Sequence, residues 1–373
     1  MSKLNVFVFP TDDRSGQASV IYHYSKFGHN VFLPKHGTLG LDWSKTATWP
    51  ALLYKNSAKS KNIDLHGFSR TSENLFGEDY FVSTQSNFEY ELDGICCDII
   101  DVSENCPKID VFHTLRGGER YLGLYHRIAQ EYFSDAKWVS STLNAWDICP
   151  NGLQCKNVAK IIPASYENSH QDKNSCNIMC HDAELKLLGV QKSTTRNGFA
   201  SFNHNFHIRQ PQDYKMFCEM NDLLKSNNVQ IPNYGGNIRC MGADIRYDGN
   251  GPTGNYRTLS PKDCLTLMSS LKAIIHFKQT DWGGGVFFHA LNTSTPLITT
   301  SRYVHQSNSH NYLINGFNCV IVNDASQAAE AVLKIDSDEK YAERLRNGMQ
   351  KMHETIFSDQ YWKNWCNFLD RLS

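Results

Sequence analysis

The chain has 373 residues, 37 Lys and Arg against 38 Asp and Glu, and a formal net charge of -1. At about 150 residues per domain this length suggests two domains, and 40% hydrophobic with 20% charged residues excludes disorder, collagen or coiled coil as the main state. The balanced charge excludes a general polyanion binder, which would be basic overall, and leaves room only for a local basic groove.

Leu4–Phe9 is a β-branched and aromatic run closed by Pro10, which predicts a strand. Asp12 and Asp13 follow it at once, so the N-terminus does not read as a signal peptide. A polar loop ends at Gly16, and Val20, Ile21, Tyr24 and Phe27 recur at helical spacing. Gly28 stops that helix, and the strand His29–Leu33 follows. Strand, loop, helix, strand is a βαβ unit and implies a parallel sheet. The stretch 37–88, with Trp43, Trp49 and Pro50 in polar surroundings, reads as an irregular insertion. Ile95–Val102, Ile109–Phe112, Lys137–Ser141 and Val158–Pro163 are expected strands, and Leu122–Phe133 an expected helix. The thirteen mostly polar residues Ser165–Asn177 are the best linker candidate.

A second alternating series comes next. Gly198–Asn203, Ala273–Phe277, Pro296–Thr300 and Cys319–Val322 are expected strands. Asp213–Lys225 predicts an amphipathic helix with Met216, Phe217, Met220, Leu223 and Leu224 on one side. Further helices are expected at Pro261–Ser270, Val286–Leu291, Ser326–Lys334, Lys340–Phe357 and Tyr361–Leu372. The longest apolar runs, such as Val6–Pro10 and Ala273–Phe277, are strand length, so no transmembrane segment and a cytoplasmic location are expected. The twelve Cys are scattered without a CxxC pair, and Cys176-x3-Cys180-His181 has no partner pair at a zinc-like distance.

The segment Ala273–Thr300 is the most informative. It reads as strand, Gly-rich turn, short helix, turn, strand, with Gly283, Gly284 and Gly285 at the helix start. Glycines there let backbone N–H groups approach an anion, and the helix dipole adds favourable potential, so a diphosphate is the fitting guest. This segment resembles the nucleotide-sugar site of GT-B glycosyltransferases, especially the retaining family 4. Asp281 stands at the first acidic position of that pattern, the turn is Trp282-Gly283-Gly284, and His289 stands where the family has its second acid. The resemblance runs in order along nearly the whole chain. It takes in Ser15-Gly16, Gly28-His29-Asn30-Val31, the strand ending in His113, Val158–Pro163, and Gly316–Val322.

The resemblance implies an α/β protein with two Rossmann-like domains facing across a cleft. The expected division is an acceptor-side domain at 1–168, a linker at 169–177, a nucleotide-sugar domain at 178–356, and a helix at 357–373 returning to the first domain. It implies transfer of a hexosyl or pentosyl group from a nucleotide-sugar to an acceptor hydroxyl, with retention. A UDP or GDP sugar is the expected substrate, with no cofactor and no metal. Donor contacts are expected from Gly16, Asn203, Gly235, Asp281, Trp282, Gly283, Gly284, Gly285 and His289. Arg209 would stabilise the leaving diphosphate, His113 would lie near the transferred sugar, and Asp13 would serve as a general base if the reaction inverts. The acceptor stays open among glycan, protein and small molecule.

Two other readings stand beside this one. Lys55, Lys59 and Lys61, with His36, His66 and Arg70, lie between Trp-bearing stretches. Basic plus aromatic suits nucleic acid, so a phage-type DNA-modifying glycosyltransferase acting on hydroxymethylated bases is the alternative. His289 in place of an acid motivates a catalytically degenerate nucleotide-sugar binding protein. An epimerase of the same fold needs catalytic carboxylates that the sequence does not place.

Overall fold

The computed structural model describes residues 3–9, 24–34, 52–54, 58–59, 80–82, 88–92, 95–100, 106–115, 129, 132–141, 158–162, 175–177, 185, 189–203, 206, 210–234, 261–278, 285–306, 312–356, 358, 363, 367 and 370. The chain forms two compact units, Met1–Gly189 with Phe357–Ser373, and Val190–Ile356.

The first unit is built on β1 (Asn5–Phe9), β2 (Asn30–Pro34), β7 (Ile95–Ile100), β8 (Val111–Leu115), β9 (Lys137–Ser141), β10 (Val158–Ile162) and β11 (Ser175–Asn177). β3 (Leu52–Tyr54), β4 (Ala58–Lys59), β5 (Tyr80–Val82) and β6 (Phe88–Leu92) complete its strands among the described residues. The sheet order is β11-β10-β9-β8-β1-β2-β7-β6-β4, with β3 and β5 pairing separately. Pairings from β11 through β7 are parallel, whereas β6 and β4 extend the edge antiparallel.

Two expectations change here. The stretch 37–88 carries strands of two or three residues, β3, β4 and β5, which are too short to show period-2 alternation in sequence. The last three residues of the expected linker form β11, whose Cys176 pairs with Ile161, and the second unit starts at Val190. A polar edge strand lacks the apolar run that would separate it from a loop.

Alternation in the parallel strands sorts this core into two faces. Phe7, Phe112 and Trp138 stand level across β1, β8 and β9, and Phe133 stacks on Phe112 at 5.2 Å. Phe7 and Phe112 are fully buried, a gain of roughly 1.5–3 kcal/mol for each such side chain. The next row, Val8, His113 and Val139, points to the opposite face. Gly28 takes the left-handed conformation (φ 83°) that reverses the chain between Tyr24–Lys26 and β2. In the closing segment Asp370 acts electrostatically on His29 and Lys137, opposing the lowering of their pKa values by burial.

The second unit holds a four-stranded parallel sheet, in the order β12 (Phe199–Ser201), β13 (Ala273–His276), β14 (Leu297–Thr300), β15 (Cys319–Val322). Asn233 adds a parallel bridge to Ser201 on the outer side of β12. Its helices are α1 (Pro211–Leu224), α2 (Pro261–Ser270), α3 (Gly285–Thr293), α4 (Ser301–Gln306), α5 (Ala325–Ser337) and α6 (Glu339–Ile356).

α1 starts with Pro at its first position, where a missing N–H costs nothing. It buries Asp213, Phe217, Met220, Asn221 and Leu224, one face of a 3.6-residue period. Leu223, expected on that face, is half exposed because it falls one residue off the stripe. α1 and α5 share a core with Ala273, Ile275, Phe277, Ile298 and Val322. α3 adds nothing to that core although Phe287, Phe288, Ala290 and Leu291 are buried. It therefore covers the other face, toward which His276 points.

Helix ends are secured locally. Asp324 caps α5 by accepting the Gln327 N–H at 2.8 Å, and Asp338 caps α6 through the Tyr341 N–H at 3.0 Å. The C-terminal end of α3 turns through Ser294 (φ 53°). Arg196 donates to the Thr293 carbonyl at 2.9 Å and to Thr295 Oγ1 at 2.8 Å, placing a cation on the negative helix end. Burial, with Arg346 nearby, lowers the Arg196 pKa to about 10, so the guanidinium stays charged at neutral pH.

Candidate functional site

Four parallel strands in one order send all their carboxyl ends to a single edge of the second unit. Open α/β sheets take ligands outside that edge, where the backbone leaves the sheet and helix N-termini begin. The segments expected to hold a nucleotide-sugar all leave from it. Asn203 lies two residues past β12, Gly235 two residues past the bridge at Asn233, and Asp281–Gly285 between β13 and α3. α3 follows β13 and begins at Gly285, and the first N–H groups of a helix have no acceptor within the helix. Gly235, Asp281, Trp282, Gly283, Gly284 and Arg209 themselves lie outside the described residues, as do Asp13 and Gly16 of the first unit.

Asn203 is buried and used structurally. Its N–H donates to Asn233 Oδ1 at 3.0 Å, and Asn233 Nδ2 donates back to the Asn203 carbonyl at 3.1 Å. Its own amide donates to Ser201 Oγ at 2.9 Å. The pair locks the chain leaving β12 against the chain leaving Asn233. Gly285 is exposed at the first position of α3. His289, one turn on, brings Cε1 within 3.6 Å of where a Gly285 Cβ would stand. The imidazole thus leans back along the helix toward its start, as long helical side chains do.

His113 sits elsewhere, in the first unit. It is the third residue of β8, has no exposure, and its Nδ1 meets the Tyr24 hydroxyl at 3.0 Å. Burial lowers its pKa to about 3, so the ring is neutral. Of the described candidates, Asn203, Gly285 and His289 share the second unit's carboxyl edge and its helix, while His113 braces the helical turn at Tyr24.

Two residues on this edge, His276 and Arg302, were not singled out for chemistry by sequence. His276 ends β13 fully buried, and neither ring nitrogen has a hydrogen-bond partner among the described residues. Burial first, and Lys278 second, lower its pKa to about 3. Leaving such a group unpaired costs about 1–3 kcal/mol. Tyr303 is core, with its ring edge-on to His276 at 4.7 Å. Arg302, at the start of α4, forms a short ion pair with the buried Asp213 of α1 and donates to Gln212 Oε1 at 3.1 Å. Burial raises the Asp213 pKa, and Arg302 opposes that shift. No local pattern could reveal this pair, because its partners are 89 residues apart.

Among the described residues, no three His, Cys, Asp or Glu side chains come together as metal ligands, and no helix is long and apolar enough to cross a membrane.

No protein-family model matches the sequence, and no curated protein matches it either. Solved structures do match. A glycosyltransferase from Rickettsia africae ESF-5 aligns over 100% of this chain and 99% of its own, with TM-score 0.56 and 12% identity. The pneumococcal O-GlcNAc transferase GtfA, solved with UDP and GlcNAc, aligns over 100% and 99%, with TM-score 0.57 and 11% identity. The fold is that of the GT-B glycosyltransferases. A candidate UDP-N-acetylglucosamine 2-epimerase from Listeria monocytogenes has it too, over 98% of this chain and 95% of its own, with TM-score 0.51 and 11% identity. At these identities the likeness speaks for the fold, and function has to be argued from the site.

Proposed function

We propose that the chain is a glycosyltransferase that holds a nucleotide-sugar at the carboxyl edge of its second sheet and passes the sugar to an acceptor hydroxyl. One observation carries this reading: β12, β13 and β14 run parallel, with the bridge at Asn233 beside them, so their carboxyl ends share one edge, and the next element after β13 among the described residues is α3, which begins at Gly285. Breaking the bond from the anomeric carbon to the diphosphate leaves negative charge on phosphate and positive character on the sugar. Helix N–H groups and cations at that edge stabilise the first without a protein carboxylate being consumed.

Within this reading Asp281 and His289 flank the turn and fix the donor through its hydroxyls, since imidazole can both donate to and accept from a hydroxyl. Gly283, Gly284 and Gly285 bring backbone N–H groups close to the diphosphate, and Gly16, Gly235 and Trp282 line the donor. Arg209 adds positive charge near the start of α1. Asp13 is retained as the base of an inverting reaction, although the family 4 resemblance favours retention without a metal. His113 acts as a positioning residue, holding Tyr24 rather than touching the sugar. A UDP-sugar is favoured, since GtfA, which shares the fold, was solved with UDP and GlcNAc. The acceptor is a glycan, protein or small molecule.

The test is a thermal-shift panel of UDP, GDP, ADP, CMP and their common sugars on wild type and Asp281→Ala. A ligand that binds only the folded state raises the midpoint, by about 2.7 kcal/mol of stability at a hundredfold excess over Kd. One nucleotide class should shift wild type by several degrees and Asp281→Ala by much less. No shift at millimolar concentration would sink the donor-site reading.

A further inference from the structure

Ser201 and Asn233 form a parallel rung on the outer side of β12. The Ser201 N–H donates to the Pro232 carbonyl at 2.8 Å, and the Tyr234 N–H donates to the Ser201 carbonyl at 2.7 Å. In a parallel ladder carried one step further, Asn203 would donate to the Tyr234 carbonyl and accept from the N–H of residue 236. The Asn233 side chain answers both groups instead. Its Oδ1 accepts the Asn203 N–H at 3.0 Å, and its Nδ2 donates to the Asn203 carbonyl at 3.1 Å. A primary amide offers the donor and the acceptor of a peptide unit, so it closes the ladder in place of the chain beyond Tyr234. Ser201, Asn203 and Asn233 are each at most 6% exposed, and away from water an unmade bond is costly.

The place of this clasp in the sheet matters. After β12 the chain runs through α1 to Asn233 on the outer side of β12, then through α2 to β13 on the inner side. The winding therefore reverses at β12. In open α/β sheets the crevice for a ligand lies at the carboxyl ends of the strands where the winding reverses. The Asn233 amide stands at that end. Along the chain, Gly235 follows Asn233 by two residues and Arg209 follows Asn203 by six.

We propose that Asn233 is a positioning residue of the nucleotide site: its amide fixes the points at which the segments bearing Arg209 and Gly235 leave the sheet, and nucleotide affinity depends on it. This rests on the donor-site reading above. N–H groups and cations act strongly on a diphosphate when they are already in place, because no ordering is left to be done on binding. An amide that served folding alone would leave the affinity of the folded protein unchanged.

Titration calorimetry with UDP and GDP on wild type, Asn233→Asp, Asn233→Ala and Asn221→Ala tests it, with each protein held well below its own melting midpoint. Asp keeps the acceptor for the Asn203 N–H but turns an oxygen toward the Asn203 carbonyl. The diphosphate that binds wild type should bind Asn233→Asp at least tenfold more weakly and Asn233→Ala at least fivefold; Ala decides if Asp does not fold. Asn221 of α1 accepts the Ile231 N–H at 2.9 Å, two residues before Asn233, so Asn221→Ala is the control for lost stability alone. It should lower the midpoint with affinity within twofold of wild type. Asn233 variants with a lowered midpoint and affinity within twofold of wild type would overturn the inference, as would an equal loss of affinity in Asn221→Ala or the failure of both Asn233 variants to fold. In each of those cases binding by wild type leaves the donor-site reading standing. Wild type that binds neither UDP nor GDP would overturn that reading, and this inference with it.

Discussion

His113 and His276 are each fully buried, one in each unit, and each has its pKa lowered from 6.5 to about 3 by burial. The sign of the consequence is fixed. Below pH 6.5 the unfolded chain takes up protons that the folded chain refuses, so stability is lost as pH falls and is level above about pH 7 for these groups. The slope is about 1.4 kcal/mol per pH unit for each histidine, or roughly 2 kcal/mol by pH 5. His276→Phe keeps the edge contact with Tyr303 and removes the titration. Melting curves should therefore show the variant gaining on wild type by about that amount between pH 7 and pH 5; a constant difference would mean that His276 is already paired or already charged. His113 was legible as a candidate and His276 was not, and the burial of neither could be read from the sequence. His113 stands in a strand ending that resembles a functional one, and only its row, between Val8 and Val139 and beneath Tyr24, assigns it to the interior.

At the scale of elements, the parallel strands of the second unit were legible because each is a short apolar run bounded by turn residues. Pro261–Ser270, Lys137–Ser141 and Cys319–Val322 coincide with the elements observed. α4 was missed because six residues, Ser301–Gln306, hold less than two turns and show no period. β3, β4 and β5 were missed because two or three residues cannot show alternation, whereas Phe88-Glu89-Tyr90-Glu91-Leu92 of β6 does alternate. The pattern also hid why α6 carries Gly348. A Cβ there would stand 2.0 Å from the Phe317 carbonyl oxygen and 2.7 Å from its carbon, in the turn that precedes β15. Backbone cannot yield as a flexible side chain does, so Gly348→Ala must push α6 off that turn. The expected loss is at least about 2 kcal/mol, read as a lower urea midpoint with unchanged slope. A variant as stable as wild type would show that α6 does not approach the turn closely.

For the molecule as a whole, two α/β units and the order of the motifs along the chain were readable, because βαβ periodicity and glycine placement are local signals. The edge on which the second unit gathers Asn203, Lys278, α3 and Arg302 was not, since it depends on strand order β12-β13-β14-β15 and on contacts across tens of residues. That edge is the ground for proposing sugar transfer, and the most direct measurement is release of nucleoside diphosphate. The purified chain would be incubated with UDP-glucose, UDP-N-acetylglucosamine and GDP-mannose, with and without a mixed set of glycan and small-molecule acceptors. The account predicts that one nucleoside diphosphate accumulates, faster with an acceptor present, together with a glycosylated product. A donor that binds yet is never cleaved, or whose sugar is only interconverted with no diphosphate released, would contradict it.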